Sequence, residues 1–215
     1  MGAVAGVVGG GPAGLMAAEV LAVAGVRVTV FERMPTVGRK FQVAGRGGLN
    51  LTHSEPAASF LRRYGDAESF FAPVLARFGP DDLRAWSAGL GEQTFVGSSG
   101  RVFPEGFRAT ALLRAWLRRL DGLGVEVRTR RTWRGWTGEG ALDIVDGDGV
   151  ADAFPCEVTV LAPGGASWPR TGSDGAWAGV LRRAGIEVAP LRPANCGFTT
   201  GWSEVRAELL RIPVD

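Results

Sequence analysis

Two cysteines, Cys156 and Cys196, are all the chain has, and they stand far apart with no CxxC pair. That excludes a disulfide framework and a dithiol relay, and a reducing cytoplasmic setting fits. Histidine is scarcer still. His53 is alone, so there is no metal-ligand spacing and no partnered His–Asp arrangement for Ser98 or Ser99. No GxSxG elbow is present either, which leaves serine-hydrolase chemistry without support. Lysine occurs once, at Lys40, among many arginines, a bias that coding preference explains. A net charge of only +2 argues against a dedicated polyanion binder. A single Arg46-Gly47-Gly48 unit without aromatic interleaving is too little for RNA, so no nucleic-acid partner is expected. Nor is there a long hydrophobic run. The apolar N-terminus has no basic flank and is broken by a glycine cluster and Pro12 before Glu19. It is therefore read as strand plus helix, with no membrane partner. Gly6 stands where a myristoylation signal after Met1-Gly2 needs Ser or Thr.

What is present is an ordinary globular composition, 46% hydrophobic and 21% charged, over 215 residues. That length suits one domain, or one domain and part of another. Its most informative stretch is residues 7–32, VVGGGPAGLMAAEVLAVAGVRVTVFE. An apolar strand (3–8) leads into Gly9-x-Gly11-x-x-Gly14, an Ala/Leu-rich helix stops at Gly25, and a second strand (26–31) ends on Glu32. Gly9 permits the tight turn, Gly11 lets backbone approach a pyrophosphate, and Gly14 lets the helix pack on the sheet. Pro12 and Ala13 complete the loop at the helix N-terminus, whose free N–H groups and dipole favour phosphate. Glu32 lies 21 residues after Gly11, near the offset at which a carboxylate reaches ribose hydroxyls. Strand, turn, helix, strand and acid in that order make a dinucleotide-binding βαβ unit.

Further along, residues 33–54 are rich in glycine and basic side chains and show neither helical nor strand periodicity, the mark of a long functional loop. Residues 57–89 read as helices, with Pro80-Asp81-Asp82 as a helix start. A hairpin is expected over 94–103, a helix from about Arg108 to Asp121, and a strand over 125–130. Glycine-broken alternation in 131–154 predicts a β-meander, followed by a strand (157–162) running into Pro163-Gly164-Gly165. Asp174 caps a helix closing at Gly185, and 186–189 is read as a last strand. Arg128, Arg130 and Arg134, at even-numbered offsets along strand-like sequence, are expected to share a solvated face, with an anion site as the lesser option. The fold class is α/β: a Rossmann-like domain with a central parallel sheet, crossover helices and a β-meander.

Such a unit takes NAD, NADP or FAD. Glu32 disfavours a 2′-phosphate, although Arg33 beside it weakens that objection. The long loop after Glu32 and the second strand-to-glycine junction favour FAD. Three strings then carry a specific resemblance: GRKFQVAGRGGLNLTHSE (38–55), GRVFPEGFRATALL (100–113) and LAPGGASWPRTGSDGAW (161–177). They resemble the FAD-dependent oxidoreductase family that includes aminoacetone-oxidase-like and BaiN-like (bile-acid reductase-like) flavoproteins. The resemblance implies that the first glycine loop holds the pyrophosphate and Glu32 the ribose. It implies that Arg39–Thr52 line diphosphate and flavin, and that Gly164 and Gly165 sit against the cofactor. Chemistry agrees, since Arg39, Lys40, Arg46 and the backbone of Gly47 and Gly48 can neutralise phosphates, while Asn50 and Thr52 can donate to flavin or ribityl oxygens.

The implied activity is hydride transfer between FAD and a small organic substrate, or NAD(P)H as donor. Thr52 and His53 are catalytic candidates by proximity alone, and His53 is read first as a polar loop residue. Trp168 is offered either for stacking on a cofactor ring or for packing. Members of the family run to about twice this length. Residues 1–190 are accordingly expected to form the FAD-binding domain and 191–215 the start of an incomplete second, substrate-side domain, completed by a missing C-terminal segment in trans. A non-catalytic FAD-binding module and an NAD-binding enzyme are the alternatives.

Overall fold

Residues 4–32 fold in the order their pattern dictates. The computed structural model describes residues 2–44 and 48–192. Strand β1 (Val4–Val8) enters a glycine turn, helix α1 (Pro12–Val23) follows, and strand β2 (Arg27–Glu32) returns parallel to β1. Strand β6 (Glu126–Thr129) extends the sheet beyond β2 and β10 (Val158–Leu161) flanks β1, giving the order β10-β1-β2-β6, all parallel. Both faces of this sheet are covered, which is why β1 and β2 are apolar almost throughout. Ala5, Val7, Val28 and Val30 point to α1 and to helix α6 (Ala109–Gly122), meeting Leu15, Ala18, Leu113, Trp116 and Leu120. Val8 and Phe31 point the other way. They pack on Trp133, Leu142 and Ile144 of the meander β7 (Thr132–Trp136), β8 (Leu142–Val145) and β9 (Ala151–Phe154), and on helix α7 (Trp177–Arg183).

A second region abuts that core through Trp86 and Leu90. Strand β3 (Thr52–His53) pairs antiparallel with β5 (Arg101–Pro104), which pairs with β4 (Thr94–Val96). Helices α3 (Ala57–Arg62), α4 (Glu68–Arg77) and α5 (Pro80–Gly89) lie between β3 and β4 in the chain. As the Pro80-Asp81-Asp82 pattern predicts, Asp82 accepts the Gly79 N–H at 2.8 Å at the start of α5. α1, α5 and α6 are joined by a buried polar knot. The Glu19 carboxylate, 8% exposed, accepts the indole N–H of Trp116 at 2.6 Å and of Trp86 at 3.1 Å, and the Arg119 guanidinium at 2.9 Å. Among the described residues no helix is long and apolar enough to cross a membrane.

The structure corrects three sequence expectations. Residues 33–54 are not a continuous loop: helix α2 (Arg39–Ala44) forms because Phe41 anchors on Trp116, ring centroids 6.4 Å apart, and β3 forms by pairing with β5. Six helical residues are too few for a period to show, and a two-residue strand owes its existence to a distant partner. Residues 186–189 form no strand. No strand among the described residues runs beside them, Ile186 is half exposed, and the Val188 carbonyl accepts from Arg182 at 3.3 Å. The three arginines do not share one strand either. β6 stops at Thr129, Arg130 turns the chain at φ 54°, and Arg134 lies on β7, paired with Asp143 at 3.1 Å.

Candidate functional site

The carboxyl ends of β1, β2 and β10 open into a cleft of about 510 Å³, the place where parallel α/β sheets receive ligands. The glycine turn forms its floor. Gly9 adopts φ 107°, a conformation costly for any side chain, and donates its N–H to the Phe31 carbonyl at 2.8 Å. A Cβ on Gly14 would collide with the Gly9 carbonyl, so that glycine serves the packing of α1 rather than the cleft surface. Gly11 is different. A Cβ there meets nothing within 4 Å, and its φ of −82° suits any residue. The protein's own packing therefore does not require glycine at this point. α1 begins behind it with Pro12 and with neither a side-chain cap nor an acid in its first turn, so its N–H donors and positive dipole end stay available to an anion.

Glu32 stands on the next strand. Its carboxylate accepts the Gly10 N–H at 2.8 Å through Oε2 and the Met34 N–H at 2.8 Å through Oε1, which fixes the group while leaving each oxygen a further lone pair. The Gly38 N–H bonds the Gly10 carbonyl at 2.8 Å. That contact carries the start of α2 to the cleft rim, where Arg39 and Lys40 line it. Arg39 keeps a buried Nε with no partner among the described residues, and Lys40 donates to Ser167 Oγ at 3.0 Å. The opposite wall comes from the β10 junction. Gly164 adopts φ 85° with its face against Ser173, and the Trp177 indole donates to the Gly164 carbonyl at 3.0 Å. Asp174 pairs with Arg33 at 2.8 Å. The Arg33 guanidinium, helped by the Ala176 N–H, holds the Asp174 carboxyl below its ordinary range.

Of the residues singled out in the sequence, Gly9, Gly11, Pro12, Ala13, Glu32, Arg33, Arg39, Lys40 and Gly164 meet in this cleft. Gly14 lies behind the floor, and Gly165 does not line the walls. Gly48, Asn50 and Thr52 are also outside the lining: Gly48 packs against Phe107 and Phe103, and Thr52 is a buried member of β3 opposite Val102. Arg46, Gly47 and residues 193–215, including Cys196, lie outside the described residues. His53 borders a separate hollow with Glu55, Arg63 and Ser99. Its Nδ1 accepts the Glu55 N–H at 3.1 Å, which assigns the ring proton to Nε2, 3.0 Å from the Ser99 carbonyl. Both ring nitrogens are thus occupied, Nδ1 within its own segment and Nε2 in tying β3 to the hairpin. In the same hollow Arg63 holds the Glu55 carboxyl below its ordinary range.

Trp168 is 63% exposed and does not line the cleft, whereas Trp133 and Trp177 do. Those two, with Arg131 and Ser173, escaped sequence reasoning as site residues, and Asp174 was read only as a helix cap. Each is brought in by topology alone. The single local signal is that Arg131 follows β6, the strand beside β2, and its N–H bonds the Glu32 carbonyl at 2.9 Å.

The model of the HI0933-like protein Rossmann domain matches residues 4–207, a span that contains all three strings on which the resemblance rests. The 3-dehydro-bile acid delta(4,6)-reductase of Clostridium scindens is 28% identical over 191 residues, covering 88% of this chain and 46% of the reductase. The chain therefore spans about half the length of that curated relative. Among solved structures, THI4 of Thermovibrio ammonificans superposes with a TM-score of 0.52 at 21% identity, covering 86% of this chain and 64% of that one. At that identity the likeness concerns the fold, and the fold it supports is the α/β Rossmann architecture read from the sequence.

Proposed function

The chain belongs to the family of HI0933-like Rossmann domains, and from that membership we propose that its cleft holds FAD as part of a flavin-dependent oxidoreductase. The observation that carries the reading is Gly11, a glycine without a packing reason, set before an uncapped helix N-terminus and between Glu32 and the Arg39–Lys40 pair. The residues present fit such a cofactor. With the Gly9 and Gly10 N–H groups held by Phe31 and Glu32, the N–H groups of Gly11 and Ala13 receive the pyrophosphate, with Arg39 and Lys40 supplying charge. Glu32, its orientation fixed by two backbone donors, takes the adenosine ribose hydroxyls. Gly164, whose φ of 85° favours glycine, is held by Trp177 where the β10 junction borders the cleft.

FAD, when bound, supplies a ring that takes up and returns a hydride, so the protein's task is to position it and to tune its surroundings. The reaction class is hydride transfer between the flavin and a small organic substrate, with NAD(P)H as electron donor. The reductase activity of the bile-acid relative supports the direction and the substrate class. Residues 1–190 form the cofactor-binding domain and 191–215 begin a substrate-side domain. Scarce cysteine supports a cytoplasmic location.

The test is titration of the purified chain with FAD and with NAD, followed by flavin fluorescence and calorimetry, and then by anaerobic reduction with NADPH. FAD binding with slow bleaching by NADPH is expected. A chain that binds NAD and refuses FAD would overturn the flavin reading. A yellow chain that NADPH and enone substrates never bleach would leave binding without turnover.

A further inference from the structure

The charged side chains that border the cleft fall into two groups. Among the described residues, Lys40 beside the glycine turn has only the neutral Ser167 hydroxyl as partner, at 3.0 Å, and the buried Nε of Arg39 finds none. At the Glu32 end each cation faces an acid: Arg33 Nη1 lies 2.8 Å from Asp174 Oδ2, and Arg131 Nη1 lies 3.7 Å from Asp146 Oδ2. Positive charge is therefore uncancelled where a pyrophosphate belongs and cancelled where a ribose belongs. That second place decides between cofactors. A carboxylate after the second strand takes a free 2′-hydroxyl, whereas an arginine beside it takes a 2′-phosphate. Arg33 directly follows Glu32 and would be that arginine.

We propose that Asp174 is a specificity-determining residue: by engaging Arg33 it makes the cleft reject dinucleotides carrying a 2′-phosphate and accept those with a free 2′-hydroxyl. The inference rests on the reading of the Glu32 end as the adenosine-ribose site. A 2′-phosphate placed there would have to take Arg33 from Asp174, leaving the Asp174 and Glu32 carboxylates beside a doubly charged group. Juxtaposed like charges are the repulsive element by which sites discriminate. The pair is about one-third exposed on each side (35% and 37%), so it adds little to stability and its removal leaves the fold in place. Its effect is on which ligand the cleft admits. It follows that any NADPH serving as donor does not use this cleft.

ADP-ribose and 2′-phospho-ADP-ribose differ only in the phosphate and serve as probes, titrated by calorimetry against the full chain, Asp174→Asn and Arg33→Gln/Asp174→Asn. The wild type should favour ADP-ribose at least about tenfold, a difference of about 1.4 kcal/mol. Asp174→Asn should bring the two within about threefold, and the double variant should restore the preference. An unchanged ratio in Asp174→Asn overturns the proposal, as does a double variant that stays relaxed, since the effect would then not run through Arg33. A wild type that binds both probes equally overturns it while the dinucleotide reading stands. A wild type that binds neither overturns both.

Discussion

A Cβ built on Gly11 meets open space, whereas one built on Gly14 strikes the Gly9 carbonyl, and the two glycines should separate cleanly in experiment. Gly11→Val is expected to cost about 1 kcal/mol of stability or less, the scale of a change at a helix N-cap, yet to abolish FAD binding. Gly14→Ala forces α1 off the sheet and should lower stability by about 1–3 kcal/mol, the usual cost of overpacking. Thermal melts with and without FAD read both. Normal cofactor content in Gly11→Val would contradict the pyrophosphate assignment. Glu32→Ala removes the proposed ribose acceptor together with the bonds to Gly10 and Met34, and should weaken FAD binding by about 1–3 kcal/mol. Unchanged affinity would mean that the ribose is held elsewhere. These roles were legible in the sequence because they depend on spacing within one βαβ unit. Asp174 was not, since its partner Arg33 is 141 residues away in the chain.

Among the elements, α1, α5 and α6 are locked by Glu19, which satisfies two indole donors and one guanidinium at once. Glu19→Ala would leave those donors without an acceptor, and chemical denaturation should show a loss of about 2–3 kcal/mol. A loss below about 0.5 kcal/mol, as for an ordinary surface change, would contradict the knot. No sequence pattern announces it, because a glutamate in an apolar helix face reads as an interruption until its three partners are known. The longer elements announced themselves. α6 shows Leu112, Leu113, Trp116 and Leu120 on one buried face, and the meander shows glycine-separated alternation, so both were legible within a residue or two. Short elements made by distant partners were not: α2 depends on Trp116 and β3 on β5. Residues 186–189 show the converse, an alternating Ile-Glu-Val-Ala stretch that has a strand's pattern and forms no strand among the described residues.

At the scale of the whole molecule, the resolved carboxyl shifts all point downward. Glu55 is held by Arg63, Glu126 by Arg128 and Thr29, Glu157 by the Val4 N–H, and Asp174 by Arg33, each below the ordinary 4.5 of a glutamate or 3.8 of an aspartate. In the folded state these groups bind protons less readily than in the unfolded chain. Their contribution is therefore fully present above the ordinary values and is lost as pH falls through the lowered ones. Melting temperature should accordingly be level near neutrality and drop on acidification past the ordinary carboxylate range; a protein as stable at pH 3 as at pH 7 would contradict this. The same whole-molecule view brings three distant chain regions, the glycine turn with Glu32, α2, and the β10 junction, into one cleft, at whose rim the Arg39 Nε and Lys40 meet no carboxylate among the described residues. The account stands or falls on what that cleft holds. Titrating the purified chain with FAD while following flavin fluorescence tests it most directly. Saturable binding that Gly11→Val abolishes without unfolding the protein is the result expected, and a folded wild type indifferent to FAD, or a Gly11→Val variant that binds it equally well, is the result that would contradict it.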